Sequence, residues 1–207
     1  MLKNYFLHPS FLINLSIKKL IKSQSFKNLN ILDFGCGDQP YKNSFQNNNY
    51  YPFDINKKYK LNTKIKYDVI FISFVLYQIK TPEKIIAKLK KLTSPNSIFL
   101  IIEPVMWFDD LHTQQKHFLN SSVLDFANRN KLKILDTKYF INNFSAIFFI
   151  ALSMMSTKIN KYSRVFRIIL LPIMFVICNS LLRIGSPISN SFQNFSIFKS
   201  VLFKKIK

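Results

Sequence analysis

Glycine is scarce in this sequence: there are three in 207 residues, and two of them, Gly35 and Gly37, stand one residue apart. Glycine alone lacks the Cβ that would block a tight turn or a closely approaching ligand. A chain that otherwise avoids it and places two together here has a binding loop of the nucleotide type. Arginine is scarce too, since 26 of the 30 basic residues are Lys. The net charge of +20 calls for an anionic partner, but bidentate recognition of phosphates and bases favours Arg, so nucleic acid is not the expected one. Acids are missing from residues 137–207, which hold ten Lys or Arg and therefore half of the net charge. An anionic surface is the partner expected of that end. The two cysteines, Cys36 and Cys178, have neither metal nor redox spacing, so two buried thiols in a reducing compartment and no metal site are expected. Met1 to Ile21 is apolar and basic, but Pro9, Lys18 and Lys19 interrupt any signal-peptide core and no small-residue cleavage site follows. A cytoplasmic location is expected.

What is present is apolar: 48% of residues are hydrophobic and 15% aromatic, chiefly Phe. That excludes a disordered chain and exceeds what one small core needs. The length suits a single domain over residues 1–207, with a sheet covered by helices on both faces. Pro9-Ser10 starts a helix whose apolar residues run from Phe11 to Ile21. Asn30 to Phe34 reads as the first strand, and Pro40 suits the first turn of a helix after the loop. Tyr50 to Ile55 is a second strand carrying Asp54. The twelve residues between Asp54 and Tyr67 are too few for a full helix and a full strand, so the fold is trimmed there.

Asp68 to Leu76 is a continuous apolar run of the kind buried on both faces of a parallel sheet. Pro82 opens a helix with Ile85, Ile86, Leu89 and Leu92 inward and Lys84, Lys88, Lys90 and Lys91 outward. Ser97 to Glu103 is a further buried strand, Ser121 to Asn130 a helix, Lys131 to Phe140 a strand, and Asn194 to Lys204 a last alternating strand. Strands alternating with helices predict an α/β, Rossmann-like, doubly wound and mostly parallel sheet.

Residues 141–185 interrupt that pattern as an apolar helical insertion before the last strand. Phe144 to Met155 and Ile168 to Leu182 are joined by a linker carrying Lys158, Lys161, Arg164 and Arg167. The second run, as a helix, covers about 22 Å against a hydrocarbon core of about 30 Å. Two crossings would also carry four basic residues to the far side, against the positive-inside rule. Peripheral contact of residues 144–184 with the inner face of a membrane fits better. The alternative is a pair of core or dimer-interface helices.

The loop Ile31-Leu-Asp-Phe-Gly-Cys-Gly-Asp-Gln-Pro-Tyr41 lacks the third glycine of the dinucleotide fingerprint. Asp33 and Asp38 flank it and would repel a pyrophosphate, whereas a ligand with a cationic sulfonium and an ammonium suits them. Asp54, seventeen residues after Gly37, is placed to accept hydrogen bonds from ribose hydroxyls.

The form hydrophobic-hydrophobic-Asp-x-Gly-x-Gly resembles the first motif of class I S-adenosylmethionine-dependent methyltransferases. Tyr67 to Pro82 and Phe99 to Pro104 are similar to that family's fourth and fifth strands, and the resemblance covers about residues 28 to 140. It implies S-adenosyl-L-methionine as cofactor, with Gly35, Gly37 and Asp54 on it, Asp33 supporting the methionine end and Ser73 lining the pocket. The Gly-Cys-Gly-x-x-Pro-Tyr form and the hydrophobic tail also look like bacterial members associated with envelope glycan or lipid metabolism. Gln78 stands where many relatives have histidine, and the trimmed region lacks the acid that meets the adenine amino group, for which Asn62 is the substitute at hand.

A hydroxyl acceptor needs a base. His112, close in sequence to Asp109 and Asp110, is the candidate, with His117 beside it and Trp107 and Phe108 as candidate acceptor-pocket residues. His8 has no such context. The expected activity is methyl transfer to a small-molecule, glycan or lipid-linked acceptor. The rivals are a catalytically inactive adaptor built on the same fold and a nucleic-acid methyltransferase, the latter without an Asn-Pro-Pro-Tyr or Asp-Pro-Pro-Tyr motif or a Pro-Cys nucleophile.

Overall fold

The computed structural model describes residues 10–104, 120–140 and 198–206. Two compact units divide the chain: Met1–Ile17 with Tyr139–Ile197, and Lys18–Lys138 with Phe198–Lys207. Most of the first lies outside the described residues, and so do the expected insertion at 141–185 and its membrane face at 144–184. No helix among the described residues is long and apolar enough to cross a membrane.

The elements follow in the order α1 (Ser10–Ser23), β1 (Asn30–Phe34), β2 (Asn49–Phe53), β3 (Tyr67–Ser73), α2 (Pro82–Lys91), β4 (Thr93–Pro104), α3 (Asn120–Arg129), β5 (Leu132–Phe140) and β6 (Phe198–Lys205). They form a six-stranded sheet in the order β2-β1-β3-β4-β6-β5. The β2–β1, β1–β3 and β3–β4 pairs are parallel, and β6 runs antiparallel to β4 with Leu100 opposite Leu202. This is the mostly parallel α/β sheet that the alternating pattern predicts. The chain leaves β1 for β2 on one side and returns to β3 on the other, so the order reverses at β1. In open α/β sheets ligands bind outside the carboxyl ends of the strands at that point.

Val69, Ile70, Phe71 and Ile72 of β3 are fully buried, because layers cover both faces of the central strand. On one face Leu32, Ile70, Ile72, Phe99 and Ile101 pack with Ile86 and Leu89 of α2. On the other, Phe71 meets the rings of Tyr41 and Phe45 edge-on at 5.3 and 5.4 Å, and Phe45 stacks on Tyr50. Period-two alternation along each strand sorts the residues between these faces.

The helix expected from Pro40 is a correction. Only a 3-10 turn at Lys42–Phe45 separates the loop from β2. The run Asn47, Asn48 and Asn49 that follows favours turns over helix, and the N–H groups of Asn28 and Asn49 donate to the Asn47 and Leu29 carbonyls. The strand expected from Ser97 begins earlier, with Thr93 opposite Tyr67. A register shift around Pro95 and Asn96, the latter at φ +67°, then restores pairing at Val69 and Ile98. Between Phe53 and Tyr67 there is neither helix nor strand, in line with the trimmed connection.

Candidate active site

At the carboxyl end of β1 the chain turns through Gly35 at φ +77° and Gly37 at φ +51°, left-handed conformations that side chains with a Cβ adopt only at a cost. The two sites differ in their surroundings. A Cβ on Gly35 would run into Val75 Cγ2, whereas one on Gly37 would meet nothing within 4 Å among the described residues. Gly35 is therefore glycine for packing as well as conformation, and Gly37 leaves open space at the edge of the sheet. The backbone N–H groups of Gly35 and Cys36 donate to the Phe53 carbonyl at 2.7 and 3.1 Å, which ties the loop to the end of β2.

Asp54 follows β2 directly. Its Oδ2 accepts the Gly37 N–H at 2.9 Å and its Oδ1 accepts the Asn56 N–H at 2.8 Å. A carboxylate has about four acceptor positions, so capacity remains for ligand hydroxyls. Asp54 and Gly35 line a cavity of about 600 Å³, whose apolar wall includes the stacked rings of Phe34 and Phe53 and, from α2, Ile85 and Leu89. Across it stand Phe74, Val75 and Gln78. Gln78 donates its Nε2 to the Phe74 carbonyl at 2.8 Å, so its amide braces the turn after β3.

Asp33 and Ser73 sit apart from this cavity, because alternation turns them to the other face of the sheet. Asp33 is 2% exposed and accepts the Tyr50 hydroxyl. Burial pushes its carboxyl up to about 7; the Tyr50 bond pulls it back and the nearby Asp54 charge adds to the rise. Tyr50 in turn is raised far above its ordinary range by burial and by Asp33. The Cys36 thiol is pushed up to about 11, first by burial and then by Asp33 and Asp54, so it is not a nucleophile at neutral pH. Ser73 Oγ is buried with no well-formed hydrogen bond among the described residues and faces the Tyr41 phenol, itself raised to about 12 by burial. At the rim, Lys57 bridges to Asp38 at 2.9 Å.

Asn62 is absent from the cavity lining; its Oδ1 accepts the Lys64 N–H at 3.0 Å, and its neighbour Leu61 lines the wall instead. His112, His117, Asp109, Asp110, Trp107 and Phe108 lie outside the described residues, as do His8 and Cys178.

The profile of a family described as a methyltransferase domain matches residues 12–139, more than half of the chain. The chain belongs to that methyltransferase family. Methyl transfer is therefore its enzyme class, and S-adenosylmethionine is the cofactor that the sequence motif implies for it. No curated protein matches the sequence. Among solved structures the methyltransferase is similar to coclaurine N-methyltransferase bound to N-methylheliamine and S-adenosylhomocysteine, with a TM-score of 0.57 at 14% identity over 94% of this chain and 71% of that one. It is similar to the [4+2]-cyclase SpnF, with a TM-score of 0.56 at 12% identity over 92% and 80%. A third likeness is to Haemonchus contortus phosphoethanolamine N-methyltransferase 2, with a TM-score of 0.55 at 13% identity over 95% of this chain and 53% of that one. At these identities the likeness is one of fold. A cyclase among them shows that the fold also hosts other chemistry.

The residues present fit this cofactor. The two glycine positions leave the turn without side chains there, and Asp54 keeps acceptor positions free at the cavity; its carboxylate beside the turn suits a cation and disfavours a pyrophosphate, whereas Asp38 is paired with Lys57 and burial favours the protonated form of Asp33. When bound, S-adenosylmethionine supplies an electrophilic methyl group on sulfonium. The part left to the protein is to hold, orient and shield from water.

Two residues of this neighbourhood were not singled out from sequence. Tyr50 gives no sequence signal for its partnership with Asp33. Glu103 gives one, since an acid ending a continuous apolar strand must find hydrogen-bond partners when buried.

Proposed function

We propose that this methyltransferase acts on a small-molecule, glycan or lipid-linked acceptor at the inner face of a membrane. The supporting observation is the division of chemistry along the chain. Gly35 and Asp54 line one cavity at the carboxyl end of the sheet, Gly37 is bonded to Asp54, and Asp33 and Ser73 lie on the other face, while the segment after β5 is apolar, basic and free of acids. Asp54 takes the ribose hydroxyls and Gly37 lets the ligand approach the backbone. Asp33 and Ser73 serve the methionine end from the far face of the sheet.

Residues 144–184 form the peripheral membrane contact, with apolar side chains at the acyl boundary and Lys158, Lys161, Arg164 and Arg167 at anionic headgroups. For a hydroxyl acceptor, His112 would take the acceptor's proton, and the bound cofactor would supply the methyl group. An amine acceptor attacks through its free base and needs only a route for its proton.

The experiment is to feed methyl-labelled S-adenosylmethionine and the purified protein to a membrane-containing lysate, then divide it into lipid, glycan, protein and nucleic-acid pools. Label in the lipid or glycan pool is the expected result. Label confined to nucleic acid or protein would sink the proposal.

A further inference from the structure

We propose that Glu103 is a positioning residue of the cofactor site, its carboxylate setting the Val75–Tyr77 turn against which Gly35 closes. This rests on the reading of the cavity beside Asp54 as the cofactor site.

Glu103 stands near the end of β4 and is 4% exposed. Its Oε1 accepts the N–H groups of Val75 at 3.2 Å and Leu76 at 2.8 Å, and its Oε2 accepts that of Tyr77 at 3.3 Å. These are the first N–H groups of a one-turn 3-10 helix, Leu76–Gln78, and of the residue before it. Such groups have no partner within their own turn. The Leu76 N–H is buried and the Val75 and Tyr77 N–H groups are part-buried, so without Glu103 the Leu76 donor above all would lose its acceptor, a state that the great majority of buried backbone groups avoid. One carboxylate thus fixes three successive residues.

The turn it fixes is otherwise poorly placed. Phe74, which leads into it, has φ +57°, an unfavourable conformation for an aromatic residue, and is held by its N–H donating to the Ile102 carbonyl at 2.9 Å. On the other side the turn meets the glycine loop. Val75 fills the place where a Cβ of Gly35 would be, so the position of Val75 and the path of Gly35 are one packing decision. Phe74, Val75, Gln78 and Ile79 all line the cavity. The line of contact runs from Glu103 to the Val75 backbone, from the Val75 side chain to Gly35, and from there along two residues to Gly37 and its bond with Asp54.

The arrangement has a cost that a merely space-filling residue would not carry. Burial opposes ionisation of Glu103 and raises it to about 7, and the bonds from Leu76, Val75 and Tyr77 pull the other way. A neutral or apolar residue would avoid that cost if the three N–H groups did not need an acceptor.

The test uses the full chain with Glu103→Gln, which keeps size and one acceptor oxygen, and Glu103→Ala. Amide hydrogen exchange at Val75, Leu76 and Tyr77 and the calorimetric Kd for S-adenosylhomocysteine are measured in each. Exchange at these three amides is expected to rise about tenfold in Glu103→Gln and further in Glu103→Ala, with β5 amides unchanged. The Kd is expected to rise in the same order, by tenfold or more for Glu103→Ala. Unchanged exchange in Glu103→Gln would overturn the latch. Faster exchange with an unchanged Kd would overturn the positioning role. Faster exchange in a protein whose wild type binds no S-adenosylhomocysteine would overturn the cofactor reading itself, and the positioning role with it.

Discussion

The backbone N–H of Gly37 donates to the Asp54 carboxylate at 2.9 Å, joining the glycine loop after β1 to the acid after β2 across seventeen residues of sequence. The Asn56 N–H holds the other oxygen of the same group at 2.8 Å. The acid is therefore oriented by the protein's own backbone, and the loop is shaped by the acid. Preorganisation of this kind spares the ordering cost of binding.

Gly35→Ala and Gly37→Ala should differ. Both put a Cβ on left-handed backbone, which costs about 1–2 kcal/mol, but only the first drives it into Val75. Gly35→Ala should lower the melting temperature well beyond the roughly 2–4 °C per kcal/mol set by the backbone cost alone. Gly37→Ala should stay near that figure and lose cofactor affinity. Equal melting temperatures, measured by thermal denaturation, would contradict this.

Stability should fall as pH rises. The native Asp33 carboxyl holds its proton up to about 7, from an ordinary value of 3.8, and Glu103 likewise up to about 7 from 4.5. Between about pH 4 and pH 7 the folded state binds more protons than the unfolded one, so stability declines through that window and levels off above it. For Asp33 the difference is of the order of 4 kcal/mol. Asp33→Asn, which still offers Tyr50 an acceptor, should show a smaller drop in melting temperature from pH 5 to pH 8 than the wild type. A drop of the same size in both would rule the assignment out.

Tyr50→Phe removes the hydroxyl that Asp33 accepts. Losing a hydrogen bond to a charged group costs about 1.5–3 kcal/mol, and only ionised Asp33 needs it fully. The variant's loss of stability should therefore be larger at pH 8 than at pH 5. Denaturant melts at the two values check this, and a larger loss at pH 5 would be the opposite sign.

Vesicle binding tests the acid-free segment. The full chain should sediment with anionic vesicles, less so as salt rises, because surface charges are screened. Replacing residues 144–184 by a short polar turn should abolish it. Retained binding would place the contact elsewhere on this chain of net charge +20.

The sheet was legible because its signals are local. Continuous apolar runs named β3 and β4, and Pro82 with its inward Ile86 and Leu89 named α2. The loop was legible for the same reason, with two of three glycines one residue apart beside an acid. What sequence could not show is which face each residue takes at the sheet edge. Asp33 and Gly35 are two residues apart, yet alternation and the turn leave Asp33 with Tyr50 on one face and Gly35 at the cavity on the other. The helix expected at Pro40 failed because a proline marks where a helix can start and says nothing of whether enough chain follows. The roles of Tyr50 and Glu103 are not legible in the sequence because their partners lie 17 and 26 to 28 residues away, joined only by folding.

The most direct measurement is a calorimetric titration of S-adenosylmethionine into the wild type and Asp54→Ala. Saturable one-site binding by the wild type is predicted, weakened about tenfold to a hundredfold in the variant, the range expected for losing hydrogen bonds to a charged acceptor. Equal affinity in the two proteins, or no binding by the wild type, would contradict the assignment of this loop and acid to the cofactor.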